Sequence, residues 1–174
     1  MPLFRKTAGD VFNRYYYEML GLIQKSPFKN QSDKFELLCA MAVVADYSAA
    51  AARMNRLEVR NSVSKEMRKV MPDIDFELLS KRMEFYGEII NGEELRGEWY
   101  MHVGNINEEE GSAVSRCVAL LGDYLYNPLC IDDYDHAPII IHNDPMAPLT
   151  FIKSVMLPMF DKMGAYSKAI YDLR

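Results

Sequence analysis

Residues suited to chemistry are scarce in this chain. Three cysteines, three histidines and one tryptophan are spread over 174 residues. Cys39, Cys117 and Cys130 are too few for a disulfide framework. Cys39 lies inside an apolar run and Cys117 on an apolar helical stripe, where a thiol behaves as a small hydrophobe. Their odd number, with no export signal in view, points to a reducing compartment, and the cytoplasm is the expected location. The nine glycines stand singly, so no glycine-rich loop cradles a phosphate. Gly-x-Ser-x-Gly, His-x-x-x-His, Cys-x-x-Cys and Glu-x-x-His are all absent.

Long hydrophobic runs are missing as well. Met1-Pro2-Leu3-Phe4-Arg5-Lys6 is not followed by the apolar stretch of a signal peptide. The longest nearly unbroken apolar segment is Leu37–Ala45. As a helix it spans about 14 Å, roughly half of a bilayer core, so it reads as a buried helix and no membrane partner is expected.

What the chain has is core material. Apolar residues make up 49% and charged residues 26%, with no biased tract, so residues 1–174 are expected to form one domain. A domain of this size buries roughly 70% of its unfolded surface. The net charge of −5 hides a split: residues 1–70 carry 12 Lys/Arg against 7 Asp/Glu, and residues 71–174 carry 8 against 18. Such asymmetry lets halves or protomers attract one another, or offers an acidic face to a basic partner.

Apolar periodicity is helical throughout. A first helix is predicted from about Asp10 to Lys25, with Phe12, Tyr15, Met19 and Leu22 on one face and Ser26-Pro27 at its end. A second starts at Ser32 or Asp33, where Asp33 and Glu36 have capping-box spacing, and carries Leu37–Ala45 onward through Ala52. Being apolar on all sides, it belongs at the centre of a bundle. Arg53–Met71 forms a basic helical stretch with a break near Asn61-Ser62. Phe76, Leu79, Met83, Tyr86 and Ile90 make a heptad-like seam closed by Asn91-Gly92. Asn107 and Glu110 open another helix, with Val114, Cys117, Val118, Leu121 and Leu125 inward. After an irregular segment over 127–148, Pro148 starts a last helix that Pro158 should kink or split. The fold class is therefore all-α: an irregular bundle of roughly six to eight helices around a central apolar one. One short two-stranded ribbon over 99–103 and 138–142 would be compatible with it.

Four groups of residues could carry function. Long irregular segments in compact domains often do, and 127–148 gathers Cys130, Asp132, Asp133, Asp135, His136, His142 and Asp144. With His102 across the ribbon, the set His102, Asp132, Asp135, His136 and His142 has ligand types for zinc or manganese, as in a metal-dependent hydrolase. The plainer reading is a solvated loop whose aspartates cap turns, with no cofactor. Arg53, Arg56 and Arg60 fall on one face of the basic helix, where they would contact nucleic-acid phosphates, or else pair with the acidic second half. Asp46, among apolar neighbours, is a proton-transfer group or a residue at the core edge. Finally, Tyr15-Tyr16-Tyr17 spans about 200° of a helix, so the three cannot all face inward. Tyr16, Tyr17, Trp99 and Tyr100 are expected to anchor a protein partner. The leading expectation is a non-enzymatic interaction module, regulatory or inhibitory, binding a protein or a second copy of itself as a homodimer.

Overall fold

The computed structural model describes residues 6–24, 30–90, 113–127 and 144–174, and every regular element among these is helical. The ribbon expected over 99–103 and 138–142 lies outside them, and no strand occurs within them. No described helix is long and apolar enough to cross a membrane.

Side-chain caps fix three of the helix starts. In α1 (Ala8–Gln24) the Thr7 hydroxyl accepts from the Asp10 N–H at 3.2 Å, and the Asp10 carboxylate accepts from the Thr7 N–H at 2.8 Å. That reciprocal pair is a capping box, and it starts the helix at Ala8, two residues upstream of the expected Asp10. In α3 (Arg56–Val70) Asn55 accepts from the N–H groups of Leu57 and Glu58, and the helix runs unbroken through Asn61-Ser62. Asp75 does the same for Glu77 and Leu78 at the start of α4 (Phe76–Ile90).

α2 (Asp33–Ala51) departs from the expected cap. Ser32 occupies the N-cap position without a side-chain hydrogen bond, and the Asp33 carboxylate reaches back to the Asn30 N–H at 2.8 Å. Glu36 turns inward instead of closing the box. The helix buries residues on every side, including Leu37, Leu38, Cys39, Met41, Val44 and Ala49. It packs against α1, α3, α4, α5 (Ala113–Tyr126) and α7 (Leu157–Tyr171).

The last helical rod needs a different device. α6 (Ala147–Phe151) runs into a π-helical turn over Ile152–Met156 and then into α7 without interruption. The Leu157 N–H donates to the Ile152 carbonyl, five residues back. Pro158 has no N–H, and its ring would strike the carbonyl of Ser154 in a regular helix. The wider π turn absorbs that conflict, so the disturbance expected at Pro158, a kink or a split, takes the form of a π turn between two α-helical segments. One buried apolar cluster draws on every described helix, and Met156, Met159 and Met163 are all fully inside it.

α1 meets α3 at its first turn. The Gly9 N–H, one of the helix's orphan donors, is bonded to Ser62 Oγ at 2.9 Å. A Cβ at Gly9 would lie 2.9 Å from the Ser62 backbone carbonyl, whereas at Gly21, in the last turn of α1, it would meet nothing within 4 Å. Gly9→Ala should therefore lose about 1–3 kcal/mol by forcing the helices apart. Gly21→Ala should gain about 0.5–1 kcal/mol from helix propensity. Urea unfolding of the two variants checks this, and equal effects of one sign would refute the close approach.

Candidate functional site

α3 and α4 both pack on α2 but make no extensive contact with each other, and a cleft of about 410 Å³ opens between them. Its α3 wall is Val59, Val63 and Met67, one face of that helix at spacings of three and four residues. Its α4 wall is Phe76, Leu79 and Met83, the first part of the heptad-like seam. Ala42 and Ala45 of α2 form the floor, and their small side chains leave the space. At the turn joining α3 to α4, the Arg68 guanidinium lies 4.8 Å from the Phe76 ring centroid, a cation–π contact.

Charged groups stand at the mouth. Asp46, nearly buried, accepts from two arginines of α3. Arg60 Nε and Nη2 lie 2.7 and 3.0 Å from its two oxygens. Arg56 Nε lies at 3.1 Å, and Arg56 Nη2 bonds the second oxygen. Both contacts are bidentate, and such forks are the strong form of the pair. Burial would raise the Asp46 pKa, but the hydrogen bonds and charges of Arg56 and Arg60 outweigh it and hold the carboxyl below the usual carboxylate range. The arginine side chains remain 53% and 51% exposed. One carboxylate faces two guanidinium groups, and Glu84 of α4 brings a second carboxylate to the same cleft, so its charged lining groups balance.

These contacts decide where the expected nucleic-acid residues sit. Arg56 and Arg60 do share a face of α3, and that face is turned to Asp46. Arg53 is not on the helix: it occupies the turn after α2 with φ of 56°, a left-handed conformation uncommon outside glycine.

A second polar cluster was not anticipated. Glu36, 1% exposed, lies with its Oε1 3.2 Å from Arg82 Nε of α4, while the Tyr86 hydroxyl donates to Oε2 at 3.4 Å. The Arg82 contact is close but poorly aligned for a hydrogen bond. Arg82 also stacks over the Tyr124 ring of α5, 4.9 Å from its centroid. Burial, the largest influence, pushes the Glu36 carboxyl up to about 7 against the opposing pull of Arg82 and Tyr86. Cys39 and Cys117 border this cluster as buried free thiols, and burial raises both well above the ordinary thiol range. Neither is a nucleophile at neutral pH. The sequence signal was Glu36 itself: directly before Leu37–Ala45, it is carried into the interior with that run.

The aromatic anchors divide. Tyr16 is buried, its ring stacked on Phe12 with centroids 5.7 Å apart, which removes it from any contact surface. Tyr17 is 59% exposed and meets the Tyr16 ring edge-on at 5.1 Å. Trp99 and Tyr100 lie outside the described residues. So do all five expected metal ligands: His102, Asp132, Asp135, His136 and His142. Among the described residues no three His, Cys, Asp or Glu side chains converge on a point that would hold a metal.

The Glu36 pKa sets a pH dependence. A carboxyl whose folded pKa lies above its ordinary value of 4.5 takes up a proton on folding. Its contribution is complete below the ordinary value and is lost as pH rises through about 7. Unfolding free energy should accordingly fall by about 3 kcal/mol between pH 4.5 and 8 from this group. Glu36→Gln should flatten that part of the profile; a slope unchanged in the variant would place the proton elsewhere. No protein-family model, curated protein or solved structure matches the chain.

Proposed function

We propose that this chain is a non-enzymatic protein-interaction module, with the mouth of the α2–α3–α4 cleft as its docking face. The observation that supports this reading is the pairing of Arg56 and Arg60 on Asp46 beside an apolar cleft. Each guanidinium uses two of its five N–H donors on Asp46, so three remain on each. Arginines fixed in this way lose little further side-chain entropy when a partner carboxylate arrives. Arg is also enriched among the residues that dominate protein contacts.

The partner in this reading is a protein with an acidic group next to an apolar one. A second copy of the chain satisfies that requirement through the excess of acidic residues over 71–174. Tyr17, held edge-on by a buried ring, supplies a rigid aromatic anchor on α1. The module works in a reducing compartment such as the cytoplasm, where the buried thiols of Cys39 and Cys117 stay unpaired.

Neutralising the three charges together tests the docking face without stranding a buried ion. The combination Asp46→Asn, Arg56→Gln and Arg60→Gln should keep cooperative unfolding, yet weaken partner affinity at least tenfold. Affinity is measured by calorimetry with the partner recovered by cross-linking, and self-association by sedimentation velocity at high micromolar concentration. Unchanged affinity and unchanged sedimentation in the triple variant would remove this face from the account.

A further inference from the structure

Building on the protein-docking reading above, we infer that the docking face is self-complementary: two copies of this chain associate about a two-fold axis running along the cleft, the basic α3 of each on the acidic α4 of the other. The charges bordering the cleft balance as a set, but they are sorted by helix. α3 carries five Lys/Arg against two Asp/Glu. Residues 73–90, the preceding turn and α4, carry five Asp/Glu against two Lys/Arg, and one of those two, Arg82, is drawn inward to Glu36. An excess of positive charge on one shoulder of the cleft is thus matched by an equal excess of negative charge on the other.

Three features point to a second copy. The first is register. Leu57, Arg60, Ser64 and Arg68 follow one another at spacings of three, four and four along α3, and none of them is buried. Glu77, Ser80, Glu84 and Glu88 repeat that spacing on α4. Arg60, Ser64, Ser80 and Glu84 line the cleft itself, so the two rows border one mouth. Each row covers about 16 Å of helix, so either can lie along the whole of the other. The second feature is unspent charge. Lys65, Glu84 and Glu88 are exposed and have no ion-pair partner among the described residues. The acids of α3 stand clear of its row: Glu66 is held by Lys69 at 2.7 Å, and Glu58 lines a cavity with Thr7 and Ala8 at the start of α1. Lys81, the exposed cation of α4, is held by Glu77 at 2.8 Å. The cleft keeps α3 and α4 from neutralising each other within one chain. The third feature is symmetry. A two-fold contact makes every attraction twice, so a surface divided into equal basic and acidic halves attracts its own copy when the axis runs along the boundary. Leu57, 66% exposed in the basic row, adds an apolar member to the contact. Two helices of 15 residues, each about 22 Å long and 10 Å wide, offer roughly 450 Å² per protomer, the size of a weak, transient contact.

Sedimentation velocity of the full chain at high micromolar concentration reads the association. A dimer should form in low salt and weaken at least tenfold in molar salt, where exposed charges are screened. Two reversed variants probe the match between helices. Lys65→Glu with Arg68→Glu makes α3 acidic, and Glu84→Lys with Glu88→Lys makes α4 basic; neither removes Arg56 or Arg60 from Asp46. Each variant alone should associate at least tenfold more weakly than the wild type. An equimolar mixture of the two should regain wild-type strength as a heterodimer, because both halves of the contact are then attractive again. A wild-type chain that stays monomeric overturns the proposal. A dimer indifferent to both reversals belongs to another surface and overturns it too. No recovery in the mixture, with both variants unfolding cooperatively, overturns the match of α3 with α4. Growth of the mixture beyond two chains overturns the two-fold axis. A monomeric chain whose cross-linked partner still loses affinity in the triple-neutral variant would keep the docking face with a different occupant.

Discussion

The stretch Glu36–Asp46 of α2, buried at every position, governs this molecule. α2 is touched by five other helices, so nearly every polar atom it carries must be satisfied by a neighbour rather than by water. Its two acidic side chains past the first turn's start, Glu36 and Asp46, are both drawn out of solvent. Each recruits arginine from a different helix: Glu36 faces Arg82 of α4, and Asp46 faces Arg56 and Arg60 of α3. The positions of α3 and α4 thus follow from where α2 places its carboxylates as well as from apolar packing.

The two contacts are not equivalent. At Asp46 the arginine heads remain half in water, the geometry is bidentate, and the carboxylate stays ionised. At Glu36 both partners are largely buried, the approach is poorly aligned, and burial favours the protonated acid near neutral pH. A buried pair of that kind adds little net stability compared with well-packed apolar residues. It does make one placement of α4 cheaper than its alternatives, because Arg82 is held by Glu36 on one side and the Tyr124 ring on the other. The same ionisable pair makes the α2–α4 contact respond to pH, whereas the α2–α3 contact weakens only when strong acid protonates Asp46.

Much of the helical order was legible in the sequence. The fully apolar character of Leu37–Ala45 and the seam from Phe76 to Ile90 report burial through spacing alone, whereas the α1 stripe was half legible: Phe12 and Met19 are buried as expected, but Tyr16 and Ile23 complete the inward face in place of Tyr15 and Leu22. Pairing across helices was not legible. Asp33 and Glu36, three residues apart, satisfy a capping box and an inward face equally well, and only the position of Arg82 decides between them. Asp46 and Arg56 are separated by a turn whose direction depends on Arg53 adopting a left-handed backbone, which no composition rule announces for arginine. Tyr16 and Tyr17 differ by about 100° around α1, and choosing the buried one requires knowing where α2 lies. Pro158 signalled a disturbance correctly, but the π turn that accommodates it depends on packing of Ile152, Val155 and Met156 into the shared core.

Why the cleft stays open follows from the relative size of two terms. Closing α3 onto α4 would bury a few more methylene-sized groups, each worth about 0.8 kcal/mol. Doing so would compete with the bidentate contacts that tie α3 to Asp46, and a buried carboxylate that loses its partners costs about 3–5 kcal/mol. The electrostatic term wins, so the walls are held apart by groups anchored on the helix beneath them. A cavity maintained in that way is already shaped before anything enters it, and its occupant is spared the cost of opening it. The same anchors place the unused guanidinium donors of Arg56 and Arg60 along the cleft.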